Sequence, residues 1–122
     1  MRAGRICRKR ILVADDEPAV RDALKMLLKI DEHTVTEARD GAEALDLVAQ
    51  GKFDLVITDY EMPRMKGSEL AVRVKKLCPA RPILMITAYA ERLGNAENPV
   101  DAILNKPFAF NDLRRAIAQL LS

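Results

Sequence analysis

At 122 residues and 49% hydrophobic content, the chain has the size of one domain and enough apolar material for a single buried core. The formal net charge is +2, but Arg2, Arg5, Arg8, Lys9 and Arg10 hold five of the 20 basic residues, and without them the 18 acidic residues are the majority, which argues against a nucleic-acid-binding surface. No apolar run nears the ~20 residues that span a bilayer, and Cys7 and Cys78 form no CxxC pair and have only His33 for company, which argues against a membrane span, a zinc site and a disulfide framework.

Residues 1–10 read as a basic, solvated tail and residues 11–122 as the folded domain of a soluble, cytoplasmic protein. The run Ile11-Leu12-Val13-Ala14 is continuously apolar, as a central strand covered on both faces must be, and it stops at Asp15-Asp16-Glu17-Pro18. Pro18 suits the first turn of a helix, whose apolar stripe is Val20, Leu24, Leu27 and Leu28. A second strand, His33 to Ala38, precedes a helix opened by Asp40-Gly41 that turns Ala44, Leu45 and Val48 inward. Leu55-Val56-Ile57-Thr58 is the third strand and ends at Asp59. A loop with Met62-Pro63 and Gly67 leads into a helix with Leu70, Val74 and Leu77 on one face, closed by Pro79 and Pro82. Ile83-Leu84-Met85-Ile86 is the fourth strand, ending at Thr87, and Ala102-Ile103-Leu104 is the fifth, followed by Lys106-Pro107. Between them Gly94, Asn95, Asn98 and Pro99 break the helical pattern, so the fourth helix is expected to be short or irregular. The last helix starts near Asn111 and carries Leu113, Ile117, Leu120 and Leu121. Strands alternating with helices in this way specify an α/β domain with a doubly wound, five-stranded parallel sheet.

The polar residues of interest all fall at the carboxyl ends of these strands: Asp15 and Asp16 after the first, Asp59 after the third, Thr87 after the fourth, Lys106 after the fifth. That edge is where open α/β sheets bind ligands. Singly, each has a plain explanation as a helix cap, a turn residue, a strand end or a solvated charge. Jointly they put three carboxylates in one place, which raises their pKa values unless a cation joins them. An all-oxygen set suits Mg²⁺. Asp59 would then be a phosphoryl acceptor, with Lys106 and the Thr87 hydroxyl binding phosphoryl oxygens.

Four stretches carry a resemblance over nearly the whole chain from Ile11: Val13-Ala14-Asp15-Asp16-Glu17, Asp59 through Gly67, Ile86-Thr87-Ala88 and Asn105-Lys106-Pro107-Phe108. The sequence resembles the receiver domains of two-component response regulators, in the manner of the chemotaxis regulators. The resemblance implies a flavodoxin-like fold with strand order 2-1-3-4-5. It implies that Asp59 is the phosphoacceptor, that Asp16 ligates Mg²⁺ directly and Asp15 mostly through water, and that the Glu61 backbone carbonyl completes the ligands. The implied donor is a phosphohistidine on a sensor histidine kinase or histidine phosphotransfer protein. The implied role is signalling by conformational change rather than enzymatic turnover, beyond Mg²⁺-dependent self-phosphorylation and self-dephosphorylation. A homodimer or an output domain would use the face made by the fourth helix, the fifth strand and the last helix.

The chain departs from the family at Ile103, where an aromatic residue is usual, at Pro99, and in the short interval from Thr87 to Lys106. Ile103 is therefore expected to stay buried in every state, leaving conformational signalling to the segment Ala90 to Pro99. The alternatives are a haloacid-dehalogenase-type phosphotransferase, which needs an aspartate where Glu61 stands, and a phosphorylation-independent scaffold. A nucleotide or flavin module is disfavoured, because neither GxGxxG nor GxxxxGK[ST] occurs.

Overall fold

A computed structural model describes residues 6–88 and 99–121. In chain order they form β1 (Arg10–Ala14), α1 (Pro18–Ile30), β2 (Thr34–Ala38), α2 (Gly41–Gln50), β3 (Leu55–Asp59), α3 (Gly67–Leu77), β4 (Ile83–Thr87), β5 (Ala102–Asn105) and α4 (Phe110–Leu121). The strands make one parallel sheet in the order β2-β1-β3-β4-β5, as the flavodoxin-like reading requires. Every residue of β3 and β4, and all of β1 after Arg10, is buried. Helices on both sheet faces leave these strands no solvent side, which is why their sequences are unbroken apolar runs.

Alternation along the strands divides the core into two layers. On one face Leu12, Val56 and Ile83 meet Ala44 and Val48 of α2 and Leu70, Ala71 and Val74 of α3. On the other, Ile11, Val13, Leu55, Ile57, Leu84 and Ile86 meet Leu24 and Leu28 of α1 and Leu113 and Ile117 of α4. The helix starts are set locally. Pro18 occupies the first turn of α1, where its missing N–H leaves no bond unmade. The Asp40 side chain accepts from the Glu43 amide at 2.8 Å while Glu43 accepts from the Arg39 amide at 2.7 Å, a reciprocal pair that opens α2.

Several expectations need correction. The strand expected from His33 begins one residue later, because the His33 amide donates to the Leu28 carbonyl (3.3 Å) in the last turn of α1 and is unavailable to a ladder. Leu77 is half exposed rather than inward; Cys78, one position on, takes the place beside the core. Residues 6–10, expected as part of a solvated tail, are held by the domain. Ile6 packs on the α1/α4 layer, the Arg8 amide donates to the Asp31 carbonyl (3.2 Å), the Lys9 amide donates to His33 Nδ1 (3.0 Å), and Arg10 pairs with Thr34 in β1. Ile103 is only partly buried. It lies on the edge strand β5, on the face opposite Ala102 and Leu104, which contact the α1/α4 layer. The expected fourth helix, and all but Pro99 of the segment Ala90 to Pro99 to which conformational signalling is assigned, fall on residues 89–98, outside the described residues. Among the described residues no helix is long and apolar enough to cross a membrane.

Candidate functional site

The sheet register fixes which strand ends meet. Ala14 pairs with Thr58, Asp59 with Ile86, and Thr87 with Asn105. The residues just past those pairs, Asp15 and Lys106, therefore stand on the same edge as Asp59 and Thr87, and the Lys106 amide donates to the Thr87 carbonyl at 2.8 Å. Asp59 is held from behind by α3. Gly67 donates its amide to the Tyr60 carbonyl at 2.9 Å, and a Cβ there would overlap the Asp59 carbonyl oxygen. Only glycine lets the helix start press so closely on the strand end.

Carboxylate oxygens of Asp15, Asp16 and Asp59 lie within 4.8 Å of one another. Asp15 and Asp59 are buried, at 2% and 7% exposure, while Asp16 faces solvent. Asp15 Oδ1 accepts from the Glu17 amide (2.9 Å), and its Oδ2 stands 3.9 Å from Lys106 Nζ. Asp59 Oδ1 accepts from the Tyr60 amide (2.9 Å) and from Lys106 Nζ (3.4 Å). Both of those donors use Oδ1, which leaves Asp59 Oδ2 without a donor among the described residues. Burial pushes the Asp15 carboxyl up to about 6, and its neighbours Asp59 and Asp16 add to that effect against Lys106 and the Glu17 amide. Burial likewise raises Asp59, with Lys106 opposing. One lysine thus faces three acids, and the shortfall of positive charge is what a hard divalent cation with oxygen ligands would supply.

Of the residues named from sequence, Asp15, Asp16, Asp59 and Lys106 come together at one point. Thr87 is buried at the end of β4, next to them in the sheet. The Glu61 side chain is exposed, 3.4 Å from Lys66 Nζ, and is not one of the clustered carboxylates. A haloacid-dehalogenase-type centre would need an acid at that position turned into the site. His33 is buried beside the Lys9 amide, before the start of β2 and so at the opposite end of the strands. Sequence reasoning missed Arg21. Its guanidinium reaches the Asp15 carbonyl oxygen at 2.7 Å. The available signal was its place at helical spacing before Leu24 and Leu28, a charged residue on a buried stripe.

A family model for the response regulator receiver domain matches residues 11–118. The chain belongs to the response regulator receiver family. This receiver is 39% identical over 115 residues to response regulator MprA of Mycobacterium sp. (strain KMS), covering 92% of the chain and 50% of that protein. It therefore spans about half the length of the curated relatives it matches. Among solved structures it resembles the response regulator TrrA of Thermotoga maritima in complex with Mg²⁺ and BeF, with TM-score 0.88, 37% identity, and 93% and 99% of the two chains covered. TrrA in complex with the histidine kinase ThkA is similar at TM-score 0.86 and 37% identity, again covering 93% and 99%. The chemotaxis protein CheY4 of Vibrio cholerae gives TM-score 0.85 at 28% identity, covering 94% and 100%.

Proposed function

We propose that this receiver accepts one phosphoryl group on Asp59 from a phosphohistidine of a sensor histidine kinase or histidine phosphotransfer protein. The observation that carries the reading is the buried Asp59 carboxylate, paired with Lys106 on one oxygen and open on the other, inside a cluster of three acids. Asp59 Oδ2 has the free lone pair. As its bond to phosphorus forms, the phosphorus–nitrogen bond of the donor breaks and the electron pair leaves with the imidazole nitrogen. Asp59 must be ionised to attack, and Lys106 favours that form against the effect of burial. The Lys106 ammonium and the Thr87 hydroxyl serve the phosphoryl oxygens, where charge accumulates in the transition state.

Asp15, Asp16 and Asp59 would hold Mg²⁺, with the Glu61 backbone carbonyl as a further ligand. When bound, the cation screens the acceptor carboxylate from the incoming phosphate. The fit rests on the spacing of the three carboxylates and on their excess over Lys106. The likeness to TrrA, solved with Mg²⁺ and BeF and with a histidine kinase, supports the same cation and the same class of donor here. The complete acid cluster speaks against a phosphorylation-independent scaffold. Cytoplasmic location follows from that class of partner. Phosphorylation would be read by a homodimer or an output domain at the face of β5 and α4, in keeping with the longer relatives.

Incubation with acetyl phosphate and Mg²⁺ should add one phosphoryl mass to the parent and none to Asp59→Asn, measured on intact protein. Equal labelling of both would remove Asp59 from the mechanism.

A further inference from the structure

The partly buried guanidinium of Arg21 has no part in the phosphoryl chemistry above. It is on α1, with only 12% of its side chain exposed. One nitrogen donates to the Asp15 carbonyl oxygen at 2.7 Å and another to Glu37 of β2 at 3.2 Å. Lys25 braces the same glutamate from one helical turn further on, at 3.4 Å.

The place of that carbonyl explains why a guanidinium is needed. Asp15 is one residue beyond the β1 ladder with β2, which ends at the Ala14–Ala38 pair. Its amide still finds the Ala38 carbonyl at 3.1 Å, and its Oδ1 accepts from Glu17. Its own carbonyl has run past the end of the strand. Arg21 supplies the donor that the sheet no longer does, through a charge-assisted bond. A peptide unit is planar, so the direction of the Asp15 carbonyl sets the directions of the Asp16 N–H and Cα. Asp16 is exposed, and no hydrogen bond of its own side chain holds it among the described residues.

We propose that Arg21 is a positioning residue for the acid cluster: by gripping the Asp15 carbonyl it fixes the Asp15–Asp16 peptide plane and so aims the Asp16 carboxylate at the cation position. This inference rests on the reading of the cluster as the Mg²⁺ site. Glu37 holds the guanidinium at the correct angle, so the chain of contacts runs from β2 through α1 to the end of β1. Groups that orient ligands without touching the metal typically change metal affinity about 10- to 100-fold.

The test is a calorimetric titration of the whole chain with MgCl₂. Arg21→Met keeps the packing of the long stem and removes every donor. Its Mg²⁺ affinity should fall about tenfold. Arg21→Lys can reach the carbonyl but cannot bridge to Glu37 as a fork does, so it should fall between the two. Arg114→Gln is the control, since it breaks the pair with Asp31 beyond the far end of α1 (2.9 Å) and should leave Mg²⁺ affinity at the parent value. The Asp16 amide resonance of the metal-free protein should broaden in Arg21→Met and stay sharp in the control. Parent-like affinity in Arg21→Met would overturn the inference, as would an equal loss in Arg114→Gln, which would make the effect one of general stability. A parent that takes up no Mg²⁺ would overturn the site reading and this inference together.

Discussion

Replacing Asp15 by Asn should stabilise the metal-free protein, and by an amount that depends on pH in a definite direction. The carboxyl is held at about 6 against an ordinary value of 3.8, chiefly by burial and then by its neighbour Asp59. Between those two values the unfolded chain gives up the proton while the folded chain keeps it. The folded state therefore binds more protons, and stability falls as pH rises. The penalty is absent well below pH 4 and complete above pH 6. At ~1.36 kcal/mol per pH unit it reaches about 3 kcal/mol at pH 7.5, and about 1 kcal/mol at pH 4.5. Asp15→Asn has nothing to ionise at this position. In EDTA, urea unfolding should show the variant more stable than the parent by about 2–3 kcal/mol at pH 7.5, near 10 °C in melting temperature for a domain of this size. The advantage should shrink to about 1 kcal/mol at pH 4.5. Asp16 and Asp59 remain in the variant, so its own stability keeps some pH dependence; the quantity to follow is the difference from the parent. A difference that is the same at both pH values, or a parent that is the more stable at pH 7.5, would sink the argument from burial and crowding.

Three further outcomes follow from the same structure. Asp16→Ala should raise metal-free stability and abolish the rise in melting temperature with millimolar Mg²⁺, whereas a parent-like response would put the cation elsewhere. Gly67→Ala drives a methyl into the Asp59 carbonyl oxygen, so it should cost more than the usual ~1–3 kcal/mol of overpacking and lower phosphoryl uptake; denaturation midpoints equal to the parent's would contradict the close approach. Burial lowers the His33 pKa from 6.5, so the stability it contributes is present above that pH and is lost as pH falls toward its folded value. The stability gap between the parent and His33→Gln should accordingly narrow from pH 7 to pH 5, and a constant gap would mean that the imidazole titrates normally.

The strands β1, β3 and β4 were legible because burial on both faces leaves an unbroken apolar run, and the acceptor edge was legible because each polar residue sits where such a run stops. What escaped was decided by contacts between segments distant in sequence. Periodicity places Leu77 on the α3 stripe, but cannot tell that Cys78 rather than Leu77 meets the core. The start of β2 depended on the His33 amide being spent on α1, and the anchoring of Arg8 and Lys9 depended on Asp31 and His33. Arg21 sits on an inward stripe, where its charge reads as a solvated edge until the carbonyl it serves is seen. Glu61 could be placed two residues past Asp59 from sequence, but the outward course of its side chain toward Lys66 could not.

The central sheet is also a partition. Residues adjacent in sequence, such as Ile11 and Leu12, belong to different interiors, one shared with α1 and α4 and the other with α2 and α3. Damage to one interior, for instance at Leu28, and damage to the other, at Val74, have no side chains in common through which to compound or compensate. Each layer can therefore drift through its own series of volume-matched replacements without consulting the other. The strand ends are where the two histories must agree, since α1 holds Asp15 from one side of the sheet and α3 holds Asp59 from the other.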